Sequence, residues 1–229
     1  MQSLPDGYRA LVIGASGAIG AAFVRTLQED PRCASVVPVT RASPVPWDLR
    51  DPASIEALAS ALAGPFHLVV DATGALTLDG RGPEKRLQDV NAQALAASLA
   101  VNAIGPALLL RHLSPLLARA ERSMWAKLSA RVGSIEDNRK GGWYGYRAAK
   151  AALNQLLQTA AIELARQRPL AVVAALQPGT VTSRLSQPFV VEGAMEPHEA
   201  VSGLLAVLDT LSPTGRAQFV DHAGRRIPW

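Results

Sequence analysis

A tyrosine and a lysine lie four residues apart in the segment GGWYGYRAAKAALNQ. On a helix, Tyr146 and Lys150 would share one face, because side chains at i and i+4 are neighbours. A tyrosine with its usual pKa of about 10 is a poor acid or base at neutral pH, and a nearby ammonium stabilises the phenolate and lowers that pKa. The spacing therefore predicts proton transfer to a carbonyl oxygen or from an alcohol. An exposed lysine beside a packed tyrosine would show the same spacing.

Three glycines spaced by three residues follow the first apolar run, in LVIGASGAIG. At Gly14, Gly17 and Gly20 the backbone can take unusual dihedrals and a phosphate can approach closely. A helix that starts near Ser16–Gly17 would point free N–H groups and its positive dipole end at that phosphate. A structural turn would fit the same glycines. Their place after the first strand of a β-α-β pattern favours dinucleotide binding.

The second predicted strand ends at Thr40 and is followed by Arg41. In dinucleotide-binding folds an acidic residue at this place binds the ribose hydroxyls of the adenosine, and none is present here. An arginine can pair with a 2′-phosphate instead. The sequence therefore favours NADP(H) over NAD(H), and a solvated surface arginine is the alternative.

The chain has 229 residues, 48% of them apolar, and a net charge of +4. This length and composition predict one folded domain over residues 1–229. The positive charge is scattered, so we expect no nucleic-acid or membrane partner. The single cysteine, Cys33, excludes an internal disulfide and indicates a reducing, cytoplasmic location. The four histidines show no spacing typical of a metal site.

Two uncharged stretches have lengths that call for a membrane test. Ala10–Val24 has the length of the apolar part of a secretion signal, but only one basic residue, Arg9, precedes it, and three glycines would weaken a helix there. Val90–Leu110 is long enough to span a membrane, but polar residues and Gly105-Pro106 interrupt it. We therefore expect that the first stretch is not a targeting segment and that the second is a buried core helix.

Short apolar runs alternate with helical patterns along the whole chain. Strands are predicted over Ala10–Gly14, Ser35–Thr40, Val45–Leu49, His67–Thr73, Met124–Ala130, Leu170–Leu176 and Ala217–Asp221. Helices are predicted over Gly17–Gln28, from Asp51 as N-cap with Pro52 at the first position, over Asn91–Ala120 with a break near Pro106, and over Tyr144–Arg166. This alternation predicts an α/β doubly wound parallel sheet with helices on both faces, and with ligands at the carboxyl ends of the strands.

Four motifs occur in the order GASGAIG, VNAIGPALLL, SARVGSIEDNRKGGWYGYRAAKAALN and QPGTVTS. On these motifs the chain resembles the short-chain dehydrogenase/reductase family, and within it the small carbonyl reductases of the C-factor and Sniffer type. The resemblance covers nearly the whole chain. It implies a Rossmann fold, hydride transfer with NAD(P) and a small-molecule carbonyl substrate. It also implies a homodimer or homotetramer through Asn102–Ala120 and Tyr144–Arg166, although small relatives are also monomers.

The resemblance implies a role for each matching residue. Tyr146 would be the catalytic acid/base, Lys150 would lower its pKa and bind the nicotinamide ribose, and Asn102 would support a water that relays protons. The other cofactor contacts would lie in the glycine turn and at strand ends: Gly14, Ser16, Gly17, Ala18, Ile19, Gly20, Arg41, Asp48, Leu49, Ala72, Thr73, Gly74, Pro178, Gly179, Val181 and Thr182.

The sequence departs from the family pattern at two places near the expected site. The family usually has a serine pair at the end of the fifth strand, the second serine polarising the carbonyl, and here the pair reads Ser129-Ala130. Ser134, in the following loop, is the favoured substitute, and Ser129 is the other. Asp71 replaces the first asparagine of the family's N-N-A-G motif and brings an unusual charge close to the expected cofactor.

The function expected from these observations is an NADPH-dependent carbonyl reductase. Two alternatives stay open, namely an NADP(H)-binding sensor or signalling protein with little catalysis, which the missing serine favours, and a pteridine or quinonoid reductase. The loop Arg184–Pro197 follows the sixth predicted strand and shows no periodicity. It would form either a lid over the site or a plain surface loop.

Overall fold

The computed structural model describes residues 1–183 and 193–229 of the chain. These residues form a six-stranded sheet in which every pair of neighbouring strands is parallel. In chain order the strands are β1 (Tyr8–Ile13), β2 (Cys33–Val39), β3 (Leu68–Asp71), β4 (Ser123–Leu128), β5 (Ala171–Gln177) and β6 (Ala217–Asp221). Their spatial order is β2-β1-β3-β4-β5-β6, which confirms the predicted doubly wound sheet.

Helices follow the strands and cover the sheet. They are α1 (Ala18–Gln28), α2 (Pro52–Ser60), α3 (Ala92–Leu99), α4 (Gly105–Leu113), α5 (Tyr144–Gln167) and α6 (Pro197–Thr210). The N-cap of α2 is the predicted one, because the Asp51 carboxylate accepts hydrogen bonds from the N–H groups of Ala53 and Ser54. Such a cap satisfies N–H groups that have no partner inside the helix.

Apolar side chains of the central strands face both sides of the sheet. Trp125 of β4 belongs to the core that includes Leu153 of α5. Its neighbour Met124 belongs to the core on the other side, with Phe23 of α1 and Leu204 of α6. Successive side chains of a strand point to opposite faces. Burial on both faces therefore explains the nearly continuous apolar strand sequences.

One predicted element is wrong, and one helix was not predicted. Val45–Leu49 is not a strand, because Pro44 and Pro46 remove two backbone donors there and the indole N–H of Trp47 donates to Thr40 O at 2.8 Å. The sheet therefore ends at β2. Helix α6 was not predicted, although it starts with a proline at its first position. Residues 184–192 of the expected loop Arg184–Pro197 lie outside the described part of the chain.

The segment expected to be helical over Asn91–Ala120 is helical as far as Leu116. A π-helical turn, Ala100–Ile104, joins α3 to α4, and Gly105 donates its N–H to Ala100 O five residues back. The predicted break near Pro106 is therefore a wider turn that comes immediately before the proline.

This helical run, Ala92–Leu116, is long and apolar enough to cross a membrane by length and composition, a test that core helices of soluble proteins also pass. Leu109 and Leu113 of α4 are fully buried in the same core cluster as Leu153 and Leu157 of α5. The run therefore packs inside the protein over part of its surface, as a core helix does.

Candidate active site

The predicted site residues follow five neighbouring strands. Gly14 comes directly after β1, Arg41 two residues after β2, Ala72 after β3, Ser129 after β4 and Pro178 after β5. Because all these strands are parallel, their carboxyl ends lie at one edge of the sheet. In open α/β sheets this edge is where ligands bind.

The glycine turn after β1 is built by close backbone contacts. Gly14 has φ +81°, and a Cβ atom there would lie 3.1 Å from the carbonyl carbon of Ala72. A Cβ atom on Gly20, in the first turn of α1, would lie 2.2 Å from Gly14 O. Gly17 is exposed and a Cβ atom there would meet Gly14 O at 3.4 Å. The turn therefore presents bare backbone beside the N–H groups of the first turn of α1, a cradle that fits a phosphate.

The end of β2 lies against this turn. Val39 O accepts hydrogen bonds from the N–H groups of Gly14 at 2.9 Å and Ala15 at 3.0 Å. Arg41 follows within two residues, its side chain exposed. The Asp48 carboxylate accepts from Arg50 N at 2.7 Å. Arg41 therefore follows closely on the strand end that bonds to the glycine turn, and its side chain is exposed. Pairing with a 2′-phosphate requires such an accessible guanidinium.

The turn after β3 is fixed by Asn102 of the π-helical turn. The side-chain amide of Asn102 accepts from Ala75 N and donates to Ala75 O, both at 2.9 Å. A Cβ atom on Gly74 would lie 3.2 Å from Asn102 Oδ1 and 3.5 Å from Lys150 Nζ. The structure therefore brings Gly74, Asn102 and Lys150 together, three residues that the sequence assigns to one site.

Tyr146 and Lys150 lie on the same face of α5, as their spacing predicts. The Nζ atom of Lys150 is 5.6 Å from the centroid of the Tyr146 ring and donates to Leu128 O at 3.1 Å. Both side chains are buried. Trp143, in the left-handed conformation with φ 55°, precedes the helix and packs edge-on against Tyr146 at 6.2 Å between ring centroids.

The electrostatics of this pair differ from the expectation. Burial raises the pKa of Tyr146 to about 12, where the sequence predicts a lowered value. Burial also lowers the pKa of the Lys150 ammonium well below its usual value, and the neighbouring Lys127 lowers it further. Both groups are removed from water, which disfavours the charged form of each. The phenol of Tyr146 is therefore held in its protonated form at neutral pH.

The two candidate replacement serines both hydrogen bond to other parts of the fold. The Ser129 hydroxyl donates to Asn154 Oδ1 of α5 at 2.7 Å. The Ser134 hydroxyl accepts from Asp137 N at 3.0 Å and donates to Trp229 O at 3.4 Å. Both serines are buried, and these bonds account for their positions without a ligand.

The loop after β5 holds the remaining predicted cofactor residues. Gly179 has φ +84°, and a Cβ atom there would lie 3.1 Å from the His222 ring. Thr182 N donates to Met195 O at 2.9 Å, and Met195 N donates to Thr180 O at 2.8 Å. These bonds tie the loop that starts at Pro178 to the segment that leads into α6.

Sequence reasoning missed two charged residues, one near Tyr146 and one near Lys150. Glu84 accepts a hydrogen bond from Gly145 N, in the first turn of α5, at 3.0 Å, and with Tyr146 it lines a cavity of about 150 Å³. Lys127 forms a buried ion pair with Asp71 at 3.0 Å. A lysine inside the apolar strand sequence MWAKLSA was a signal that could have identified Lys127.

Comparison with known proteins gives a consistent result. A sequence profile described as short chain dehydrogenase matches residues 8–192. The C-signal protein of Myxococcus xanthus is 32% identical over 143 residues, which cover 62% of this chain and 83% of that protein.

Solved structures share the fold over almost the whole chain. A short-chain dehydrogenase/reductase from Burkholderia multivorans with bound NADP superposes with a TM-score of 0.83 and 25% identity, covering 97% of this chain and 99% of that one. An NADPH-bound carbonyl reductase from chicken fatty liver gives a TM-score of 0.85 and 23% identity, covering 98% of this chain and 95% of that one.

Proposed function

The chain belongs to the short chain dehydrogenase family, and from this premise we propose that it is an NADPH-dependent reductase of small carbonyl compounds. The observation that carries the proposal is the position of Tyr146. Its buried ring lies 5.6 Å from Lys150 Nζ, which donates to Leu128 O at the end of β4, the sheet edge that also carries the glycine turn. Tyr146 also lines a cavity formed with the segment 76–84 and helix α3. A proton donor and a dinucleotide cradle at one edge are what carbonyl reduction requires.

The residues at this edge fit NADP(H). The bare backbone of the turn at Gly14 and Gly17 would hold the pyrophosphate, and the accessible guanidinium of Arg41 would pair with the 2′-phosphate. Lys150 and the turn at Gly74 would hold the nicotinamide ribose. When bound, the cofactor supplies a hydride. The Burkholderia multivorans structure, which is similar over 97% of this chain, contains NADP and supports this choice.

Proton transfer is the chemical role of the chain's own residues. Since burial raises the pKa of Tyr146 to about 12, its hydroxyl carries a proton at neutral pH and can donate it to a carbonyl oxygen as that oxygen becomes negative. The ammonium of Lys150 would then stabilise the phenolate that is left. Asn102 holds the turn at Ala75 and, with Lys150, would support the route by which Tyr146 regains its proton.

Polarisation of the carbonyl without a serine at position 130 needs a different donor. The roles of Ser134 and Ser129 stay predictions. Of the three hydroxyls, only that of Tyr146 belongs to a residue that lines the cavity of about 150 Å³. We therefore propose that Tyr146 is the principal hydrogen-bond donor to the carbonyl oxygen, which would make the reaction slower than in relatives with the full serine and tyrosine set.

The test compares two tyrosine variants. Tyr146→Phe should abolish NADPH-dependent reduction of a broad panel of aldehydes and ketones, and the dissociation constant for NADPH, followed by fluorescence, should change by less than about twofold. Tyr144→Phe is the matched control, since Tyr144 lies two residues earlier on α5 and is more exposed. It should keep full activity. Retained activity in Tyr146→Phe would show that the assignment is wrong.

A second candidate is an NADP(H)-binding signalling protein with little catalysis. Two observations favour it, namely Ala130 at the position of the missing serine and the 32% identity to the C-signal protein. NADPH binding without turnover on any carbonyl of the panel would select this candidate. Turnover of dihydropteridines but not of ketones would instead select the pteridine reductase alternative.

A further inference from the structure

A pair of opposite charges is buried beside the candidate active site. Asp71 at the end of β3 and Lys127 of β4 are directly paired in the strand register, and neither has measurable exposure. Lys127 Nζ donates to Asp71 Oδ1 at 3.0 Å. A buried charge is either paired or neutralised by a shift in its pKa, and a buried pair contributes little to stability compared with apolar residues of the same size. A role other than stability would explain the pair.

Lys127 also holds the turn that follows β3. Its Nζ atom donates to Thr73 O at 2.6 Å and to Thr73 Oγ1 at 3.1 Å. The carboxylate of Asp71 accepts from Thr73 N at 2.9 Å and from Thr73 Oγ1 at 2.6 Å. The next residue, Gly74, lies against the Nζ atom of Lys150. The pair therefore holds Thr73, and the next residue, Gly74, contacts Lys150.

Lys127 and Lys150 approach each other from two sides of this turn. Lys127 points to the same face of β4 as Trp125 and Ser129, and the Ser129 hydroxyl bonds to α5, the helix that carries Lys150. Lys150 Nζ donates to the carbonyl oxygen of Leu128, the residue after Lys127. Two buried lysines thus lie within electrostatic range of one buried carboxylate, which forms its ion pair with Lys127.

We propose that Lys127, acting with Asp71, is a positioning residue that holds the Thr73–Gly74 turn against Lys150 and controls whether Lys150 carries a proton. The proposal rests on the proposed function, because Lys150 acts there through its charge on Tyr146. Its test, however, measures Lys150 directly.

The charged groups around Lys150 determine the sign of the effect. From α5 itself it faces the phenol of Tyr146, from β3 the carboxylate of Asp71 and from β4 the ammonium of Lys127. Burial is the main cause of its lowered pKa, Lys127 lowers the pKa further, and Asp71 raises it by less. Arg131, from the turn Arg131–Gly133 that packs on Lys150, pairs with Asp137 and Asp221. Removing the charge of Lys127 should therefore raise the pKa of Lys150.

The lysine content of the chain makes this measurable. The sequence contains four lysines, Lys85, Lys127, Lys140 and Lys150, so protein labelled with ¹³C at the lysine ε-carbon gives four signals. Lys150→Arg and Lys127→Gln identify two of them by loss. Lys85 and Lys140 are exposed and provide internal references. In the unmodified protein the Lys150 signal should titrate well below the usual range of a lysine, because burial lowers the pKa of its ammonium.

Two variants test the control by Lys127. Lys127→Gln keeps a donor for Thr73 O and should move the Lys150 midpoint up by about one pH unit or more. Asp71→Asn/Lys127→Gln removes both charges of the pair, so it should fold even if the single variant, which leaves Asp71 unpaired, does not, and it should move the midpoint up by less. Lys140→Gln is the matched control and should leave the midpoint unchanged.

The proposal is overturned if Lys150 titrates in the usual range of a lysine in the unmodified protein. It is equally overturned if the Lys150 midpoint stays in place in the double variant and in any folded Lys127→Gln protein. In active protein, the pH profile of kcat for Lys127→Gln should shift, which loss of a merely structural contact would not cause. Absence of NADPH turnover in the unmodified protein would refute the proposed function and would leave the titration result valid.

Discussion

The glycine turn offers a sharp test of how the cofactor edge is built. In the change Gly20→Ala, the new methyl group would lie 2.2 Å from Gly14 O, 2.9 Å from Gly14 C and 3.1 Å from the Cα of Ala15. All three atoms belong to backbone, so no side chain can rotate away. Either α1 or the turn has to shift.

The size of the effect follows from two opposing contributions. Overpacking against rigid neighbours costs about 1–3 kcal/mol, and the short distance places Gly20 at the upper end. Alanine gains up to about 1 kcal/mol in helix propensity over glycine. We therefore expect a net loss of about 2 kcal/mol in the free energy of unfolding, or roughly 4–8 °C in Tm for a chain of this size. Urea unfolding and thermal unfolding measure both quantities.

Gly17→Ala is the matched control on the same turn. Its methyl group would meet Gly14 O at an ordinary 3.4 Å, and the residue has φ −76°. Stability should change by less than about 0.5 kcal/mol. The methyl group would nevertheless occupy the exposed backbone where the phosphate is proposed to bind, so NADPH affinity should fall at least about tenfold in both variants.

The two variants test separately whether α1 packs closely on the glycine turn and whether the turn binds the pyrophosphate. Unfolding of Gly20→Ala at the same temperature as the unmodified protein would show that the close approach of α1 to the turn is wrong. NADPH affinity that survives Gly17→Ala would show that the turn does not hold the pyrophosphate, whatever happens to stability.

Three further variants test the rest of the edge. Ser129→Ala removes the 2.7 Å hydrogen bond to the buried side-chain amide of Asn154, so it should cost about 1–3 kcal/mol of stability while kcat changes less than twofold. Unchanged stability with a large loss of kcat would instead show that Ser129 is catalytic. Ala130→Ser should raise kcat/KM for ketones about tenfold by adding a donor, and an unchanged rate would mean that position 130 does not face the carbonyl. Arg41→Ala should raise KM for NADPH about tenfold and leave KM for NADH unchanged, and an equal effect on both would exclude a 2′-phosphate contact.

The sequence predicts the fold well because the relevant signals are local. Six of the seven predicted strands are present, and the N-cap Asp51 is where the pattern places it. Tyr146 and Lys150 meet because a four-residue spacing on a helix allows little else. The glycine turn follows in part for the same reason, since Gly20 is required by its contact with Gly14, six residues earlier, whereas Gly14 is required by its close approach to Ala72, which follows another strand.

The wrong strand had a local warning in its prolines, whereas the shape of the predicted break near Pro106 depends on context that no short window contains. Val45–Leu49 has apolar residues, but a strand there needs donors that Pro44 and Pro46 lack, and its Trp47 indole instead closes a turn onto Thr40. The wider turn before Pro106 forms where Asn102 reaches across to Ala75 of another loop. The form of this turn therefore depends on which segments become neighbours after folding.

The charge state of the candidate site is the property that the sequence predicts least well. The pattern Tyr-x-x-x-Lys predicts a lowered tyrosine pKa, yet burial raises the pKa of Tyr146 to about 12. Burial also lowers the pKa of Lys150 well below its usual value. Desolvation acts on both groups and opposes the ion pair that the pattern suggests. Any depression of the tyrosine pKa must therefore come from a protonated Lys150.

Whether Lys150 is protonated depends in turn on residues outside the pattern. Lys127 and Asp71 lie on neighbouring strands, 56 residues apart in sequence, and their charges act on Lys150 in opposite directions. The family motif specifies Tyr146 and Lys150 but does not specify the charged residues around Lys150. Two chains with the same motif can then differ in the pH at which the tyrosine is activated. In this chain, the Asp71–Lys127 pair would determine that pH.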